Sequence, residues 1–202
     1  AAEGVEAIDV PDSKSALEGA RDILVERFAE TADLLATLRI RLWDHGVITS
    51  TVLKGKETAE EEKFRDYYAY SETIRTIPSH RALALFRGRT LGVLKIELGL
   101  GETLEAVTPH PCVAMITAHV GIEDRGRRAD KWLMGVCDWT WRVKVHLHLT
   151  VELLVQLREG AEAEAIKIFG RNLHELLLAA PAGPKAVLGL DPGIRTGCKV
   201  AV

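Results

Sequence analysis

One carboxylate stands where chemistry could begin. The run Ala186 to Leu190 is apolar and delivers Asp191 at its end; Pro192 and Gly193 then make a tight turn, and a second strand-like run, Cys198 to Val202, follows. An Asp at the tip of a buried first strand can ligate Mg²⁺ beside other acidic residues in a nuclease, where two metals clamp a phosphodiester. It can equally sit beside the phosphate-binding hairpin of an ATPase. In both cases the glycine-rich turn lets backbone approach phosphate closely. Either chemistry needs more acidic residues from later strands, and none follows Asp191 in this sequence. A third reading has Asp191 capping its own turn. Asp191 therefore stands only as a vestigial catalytic candidate, with no metal site expected.

The second candidate chemistry is phosphate binding. Arg75, Arg81, Arg87, Arg89 and Lys95 outnumber Glu72 and Glu97. Arginines near a helix terminus and a glycine turn can hold phosphate through charge and backbone N–H groups. Further on, Arg125, Arg127, Arg128 and Lys131 face Glu123, Asp124 and Asp130 in a glycine-containing loop expected to be exposed. This second basic patch extends to residue 144. The alternative for the first patch is a solvated face, ion-paired to the acidic stretch 57–66. Phe64, Tyr67 and Tyr68 read as a buried seam at i, i+3, i+4, or as a base-stacking platform if a groove exposes them. His146 and His148 have metal-like spacing only in a strand, and no cysteine or carboxylate cluster stands nearby.

Composition bounds these readings. The 202 residues are 47% hydrophobic and 27% charged, with a formal net charge of −3. That suits a globular protein and removes global basicity as an argument for nucleic acid. Cys112, Cys137 and Cys198 are far apart, read as reduced, buried thiols of a cytoplasmic protein. The first ten residues lack a signal peptide's basic and apolar regions, and no stretch has the length of an apolar membrane span. No cofactor, small-molecule substrate or membrane partner is expected. The missing initiator Met and the strand pattern at the end lead us to expect a segment of a longer protein.

The elements that must position these groups are mostly helices. Asp12 or Ser13 can cap a first helix with Ala16, Leu17, Ala20, Ile23, Leu24 and Phe28 on one side. A second runs from Thr31, with Leu34, Leu35, Leu38, Leu42 and Trp43, to a C-cap at Gly46. Residues 47–53 suit a strand or a helix start at Thr49. Lys54 to Lys56 read as a turn, and the acidic start of 57–70 suits a helix. Pro78 and Ser79, the latter as N-cap, open a short helix closed by Gly88. Gly92 to Leu98 reads as a short strand and Cys112 to Val120 as a short helix. Asp130 or Ala129 starts another helix. Residues 141–149 alternate strictly, which taken alone favours a strand. The strongest helical pattern is Leu149 to Leu178, with Gly160 and Gly170 as places where it could bend. Pro181, Gly183 and Pro184 end it, giving a helical region 1–182, a linker 183–185 and a closing hairpin 186–202.

Several segments together resemble the bacterial Tex family of transcription accessory proteins. They are A-L-E-G-A-R-D-I-L at 16–24, K-F-R-D-Y at 63–67, I-P-S-H-R-A-L-A-L-F-R-G at 77–88, N-L-H-E-L-L-L-A-A-P at 172–181 and L-G-L-D-P-G-I-R-T-G at 188–197. The last is similar to the opening of the family's YqgF domain, of RuvC/RNase H-like type. The resemblance implies a mainly α fold: a multi-helix N-terminal scaffold, then a truncated β-hairpin that begins an RNase H-like α/β domain. It favours helices around 141–149. It implies a non-catalytic segment that binds RNA or DNA, with RNA polymerase or other transcription proteins as further partners. A helical protein–protein scaffold, docking on RNA polymerase or on other domains, is the alternative. A metal-dependent nuclease using Asp191 is the third reading. The hairpin's apolar residues, Val187, Leu188, Leu190, Val200 and Val202, are expected to pack on the helical body or pair with another chain.

Overall fold

The computed structural model describes residues 12–53, 55, 62–181, 183–193 and 197–202. Its contacts gather into two compact units, Ala1–Ala165 and Ile166–Val202. The turn expected at Lys54–Lys56 and the acidic helix start at 57–61 fall largely outside the described residues.

The first unit opens with helices α1 (Ser13–Ala29) and α2 (Ala32–His45). Asp12 caps α1: its Oδ1 accepts the Ser15 N–H at 2.7 Å, and that bond holds its carboxyl below the ordinary aspartate range. Only Val25 and Phe28 of α1 are buried, while Ile23, expected on the apolar face, is 71% exposed. The core stripe comes from α2, whose Leu34, Leu38 and Leu42 at i, i+4, i+8 are fully buried. Gly46 is the C-cap of α2 as expected, its N–H donating to the Leu42 carbonyl at 2.8 Å from an extended backbone. It is required for space: a Cβ there would lie 2.1 Å from the Leu42 carbonyl oxygen.

Residues 47–52 resolve as a strand. β1 (Val47–Val52) is the centre of an antiparallel sheet of order β2-β1-β3, with β2 (Ala69–Thr73) and β3 (Leu94–Gly99) on its two sides. Ser50 faces Tyr70 on one flank and Ile96 on the other. Its buried hydroxyl donates to the Tyr67 carbonyl. β2 is a strand where the sequence pattern offered none. Its sequence, A-Y-S-E-T, carries no apolar alternation, because as an edge strand it buries little. The segment before it is a 3₁₀ turn, Glu62–Tyr67, that buries Phe64. The aromatic trio is thus a packing seam: Tyr67 and Tyr68 lie half-buried against the core.

After β2, α3 (Ser79–Thr90) begins with Pro78 in the N-cap position and Ser79 already helical. Gly88 does not close this helix; it lies inside it, where a Cβ would meet Leu94 Cδ1 at 2.5 Å. The reversal is made by Gly92, with φ of 68°. Three short helices follow: α4 (Glu102–Glu105), α5 (Pro111–Val120) and α6 (Asp130–Trp139).

The chain then continues without a break through a π-helical turn, Thr140–Val145, into α7 (His146–Leu177). The strict alternation of 141–149 is therefore helical, as the family resemblance favours. Trp141, Val145 and Leu149 are buried at i, i+4, i+8, and the intervening Val143 and Leu147 are exposed. Two apolar faces on one helix imitate a strand's period of two. Leu149, Leu153, Leu154, Leu157 and Ala161 carry the α7 core contacts. Gly160 and Gly170 interrupt nothing; a Cβ at either would meet no atom within 4 Å.

The second unit holds the last turns of α7 and a hairpin, β4 (Gly189–Pro192) paired with β5 (Cys198–Ala201). Asp191 pairs in register with Lys199, and Leu190 with Val200. Within this unit the hairpin leaves its own apolar residues uncovered: Leu190 is 62% exposed, and Val187, Leu188, Val200 and Val202 are exposed as well. Cys198 is exposed too, unlike Cys112 and Cys137. Among the described residues, no helix is long and apolar enough to cross a membrane.

Candidate nucleic-acid interface

Carboxylates of the chain itself engage five of the nine candidate cations. Arg75 meets Asp44 at 2.6 Å, Arg81 meets Glu72 at 3.3 Å and Lys95 meets Glu97 at 2.7 Å. These partners come from α2, β2 and β3, whereas the sequence reading put them in the stretch 57–66. Tyr70 joins the second pair. Its hydroxyl donates to Glu72, and burial together with that bond pushes the phenol up to about 12. Arg81 in turn is held charged by Tyr70 and Glu72.

In the second patch Arg125 forks onto Glu123, with Nε and Nη2 at 3.0 and 2.9 Å from Oε2. Arg127 Nε reaches Asp130 Oδ1 at 2.9 Å. Beyond the loop, Arg142 pairs with Asp138 at 3.2 Å and Lys144 with Glu26.

The loop is exposed as expected, with residues 123–129 all at the surface, and the exception is the residue that closes it. Asp130 at its end is only 1% exposed. Its Oδ2 accepts two backbone N–H groups, from Arg125 at 2.8 Å and Arg127 at 2.9 Å. Burial alone would raise the Asp130 carboxyl. The N–H groups of Arg127 and Arg125 and the Arg127 guanidinium outweigh it and hold the group below the ordinary range. The signal was in the sequence: an aspartate closing a glycine-containing loop at a helix start is the residue able to satisfy free loop amides.

Four candidates remain. Arg87, Arg89, Arg128 and Lys131 are exposed and have no carboxylate partner among the described residues. Arg87 and Arg89 lie in the last turn of α3. There the carbonyl end of the helix faces out, so charge alone, without backbone N–H groups, is on offer.

Asp191 belongs to the second unit. Its carboxylate lies 3.5 Å from Lys199 Nζ across the hairpin, and the Asp191 side chain is 73% exposed. His146 and His148 also separate: on a helix, residues two apart do not share a face. His146 Nε2–H donates to the Leu98 carbonyl at 2.7 Å, and His148 lies 3.9 Å from Glu152. Among the described residues, no three His, Cys, Asp or Glu gather as a metal site.

Two features were not read from the sequence. Arg39 of α2 meets Glu152 of α7 through two bonds of 2.5 and 3.0 Å, and Arg39 holds the Glu152 carboxyl below its ordinary range. A cavity of about 720 Å³ opens beside the π-helical turn, with His110 stacked on Trp141 at 5.3 Å and Trp141 tilted against His146 at 5.0 Å. Glu105, Asp138 and Arg142 line it with both charge signs.

Comparison with known proteins places this arrangement. A family model described as Tex central region-like matches residues 1–169. "Protein tex" of Bordetella pertussis is 56% identical over 199 residues, covering 96% of this chain and 25% of the relative. "Transcriptional accessory protein Tex" of Neisseria gonorrhoeae is 48% identical over 202 residues, covering 100% of this chain and 26% of the relative. The human "S1 RNA-binding domain-containing protein 1" is 29% identical over 196 residues, covering 91% and 19%. The chain thus spans about a quarter of the length of the bacterial relatives it matches. With a mainly helical fold, a family model over most of its length and relatives at this identity, the chain belongs to the Tex family and carries its central region.

Proposed function

We propose that this chain is a non-catalytic helical segment of a nucleic-acid-handling transcription accessory protein of the cytoplasm. It contributes phosphate contacts through Arg87, Arg89, Arg128 and Lys131. The observation that carries the reading is that these four cations are exposed without carboxylate partners, while the other five candidates are engaged. The names of the relatives, one a transcriptional accessory protein and one an RNA-binding domain protein, support the same direction. The test is binding to single- and double-stranded oligonucleotides across a salt series. With four phosphate contacts at most, log K against log salt is expected to fall with a slope no steeper than about −3.6 on duplex and −2.8 on single strands. Replacing all four by alanine removes the binding. No binding at ~50 mM salt overturns the reading.

Two finer statements belong with it. The hairpin 186–202 is the start of a YqgF domain of RNase H-like type, and Asp191 has no catalytic role here. Its exposed pairing with Lys199 supports that view. Mg²⁺-dependent cleavage that disappears in Asp191→Asn would overturn it. A second reading, a scaffold that docks RNA polymerase or the protein's other domains, is favoured by the exposed apolar residues along α7.

A further inference from the structure

We propose that a groove between α3, β3 and the first half of α7 docks an acidic amphipathic helix from a partner protein. This takes the docking reading to a defined site and occupant. The groove encloses about 530 Å³ and lies wholly within the first unit. Its α7 wall is a second apolar stripe: Leu147, Val151 and Val155, at i, i+4, i+8, are 63%, 55% and 46% exposed. These residues are not needed for the core, which α7 builds from Leu149, Leu153, Leu154 and Leu157. A helix already anchored by one apolar face gains nothing from a second one in water, so the second face fits a partner.

Charge selects that partner. Arg89 and Arg158 line the groove, and no carboxylate does, in a chain whose net charge is −3. Among the described residues, Arg158 has one exposed pair, with Glu162 one turn on. Among the described residues the Thr150 hydroxyl, buried at the groove wall, has no hydrogen-bond partner. The apolar stripe favours a protein over a nucleic acid, and the cations call for carboxylates on its rim.

The form of the occupant follows from the edge of the sheet. β3 is an edge strand, which an extended peptide could join. But His146 occupies the Leu98 carbonyl near the end of β3. Strand addition is blocked there, and a helix laying its own i, i+4 residues against the α7 stripe remains.

The experiment uses the 202-residue chain and three labelled synthetic helices of about 18 residues, equal in apolar pattern and flanked by Glu, Gln or Lys. Fluorescence anisotropy is expected to give Kd values in the order Glu, Gln, Lys, with at least a tenfold span. Val151→Asp is expected to weaken the Glu peptide tenfold or more. Arg158→Glu is expected to invert the order. Both positions are exposed, and circular dichroism verifies that the fold is kept. Neither is among the four proposed phosphate contacts, so loss of peptide binding and loss of oligonucleotide binding are separable. Equal binding of all three peptides, indifference to Val151→Asp, or no binding of the Glu peptide at 100-fold excess overturns the proposal. So does self-association abolished by Val151→Asp, which would make a second copy the occupant, or oligonucleotide binding abolished by Val151→Asp, which would make a nucleic acid the occupant.

Discussion

The loop before α6 and the closing hairpin are built from similar parts and do opposite things. Each places an aspartate near a glycine of positive φ, Gly126 at 76° in one and Gly197 at 64° in the other, with a cation close by. Asp130 is buried and gathers two backbone N–H groups and a guanidinium. Asp191 is exposed and meets one lysine across the strands. The hairpin carries the recognisable motif, and the loop carries the interactions. What an aspartate does is decided by how many donors converge on it and how much water is excluded, more than by the pattern around it.

This contrast can be broken most directly by amide substitution. Asp130→Asn puts an NH₂ group where donors already point and removes the charge facing Arg127, so the thermal midpoint is expected to fall by several degrees. Asp191→Asn is expected to leave it within a degree. Equal effects in melts followed by circular dichroism would erase the distinction.

The pH dependence sharpens it. The Asp130 carboxyl is held below its ordinary range, so its contribution is fully present above the unfolded value of about 3.9. It is lost as pH falls through the lowered folded value. The stability gap between the wild type and Asp130→Asn is therefore constant near neutrality and closes towards pH 2 in urea titrations. A gap that persists at pH 2 would assign the effect to shape instead of charge.

Thiol chemistry separates the two units at smaller cost. Burial pushes the Cys112 thiol up to about 12 and the Cys137 thiol up to about 11, while Cys198 is exposed on the hairpin. One equivalent is expected to react quickly with a disulfide reagent in buffer, and three in denaturant. The smallest effect belongs to Lys199→Ala. As an exposed pair it contributes about 0–0.5 kcal/mol, measured by denaturant titration.

Much of the scaffold was legible before its structure. The leucines of α2 keep one helical face, and Asp12 precedes its helix in capping position, so local rules and tertiary packing agree. β2 was not legible, because an edge strand with one polar-rich face leaves no alternation to read. Gly46 does end α2 as read, but Gly88, also read as a helix end, lies inside α3 and admits Leu94, a contact between segments that spacing does not encode. The candidate cations were found as residue types. Glu97, Glu123 and Asp130 stand two or three residues from the cations they hold, but Asp44 and Glu72, the partners of Arg75 and Arg81, are brought close only by folding.

The π-helical turn at Thr140–Val145 has a consequence for chain length. A π turn holds one residue more than an α turn closes over. Deleting a single residue within 140–145 would let the helix heal into regular α geometry. Deleting one elsewhere between Asp130 and Ala161 would rotate every later side chain by about 100° and carry Leu149, Leu153 and Leu157 out of the core. The turn is thus the one place where this continuous helix stores slack, and relatives that differ by a single residue along it are expected to place their gap there.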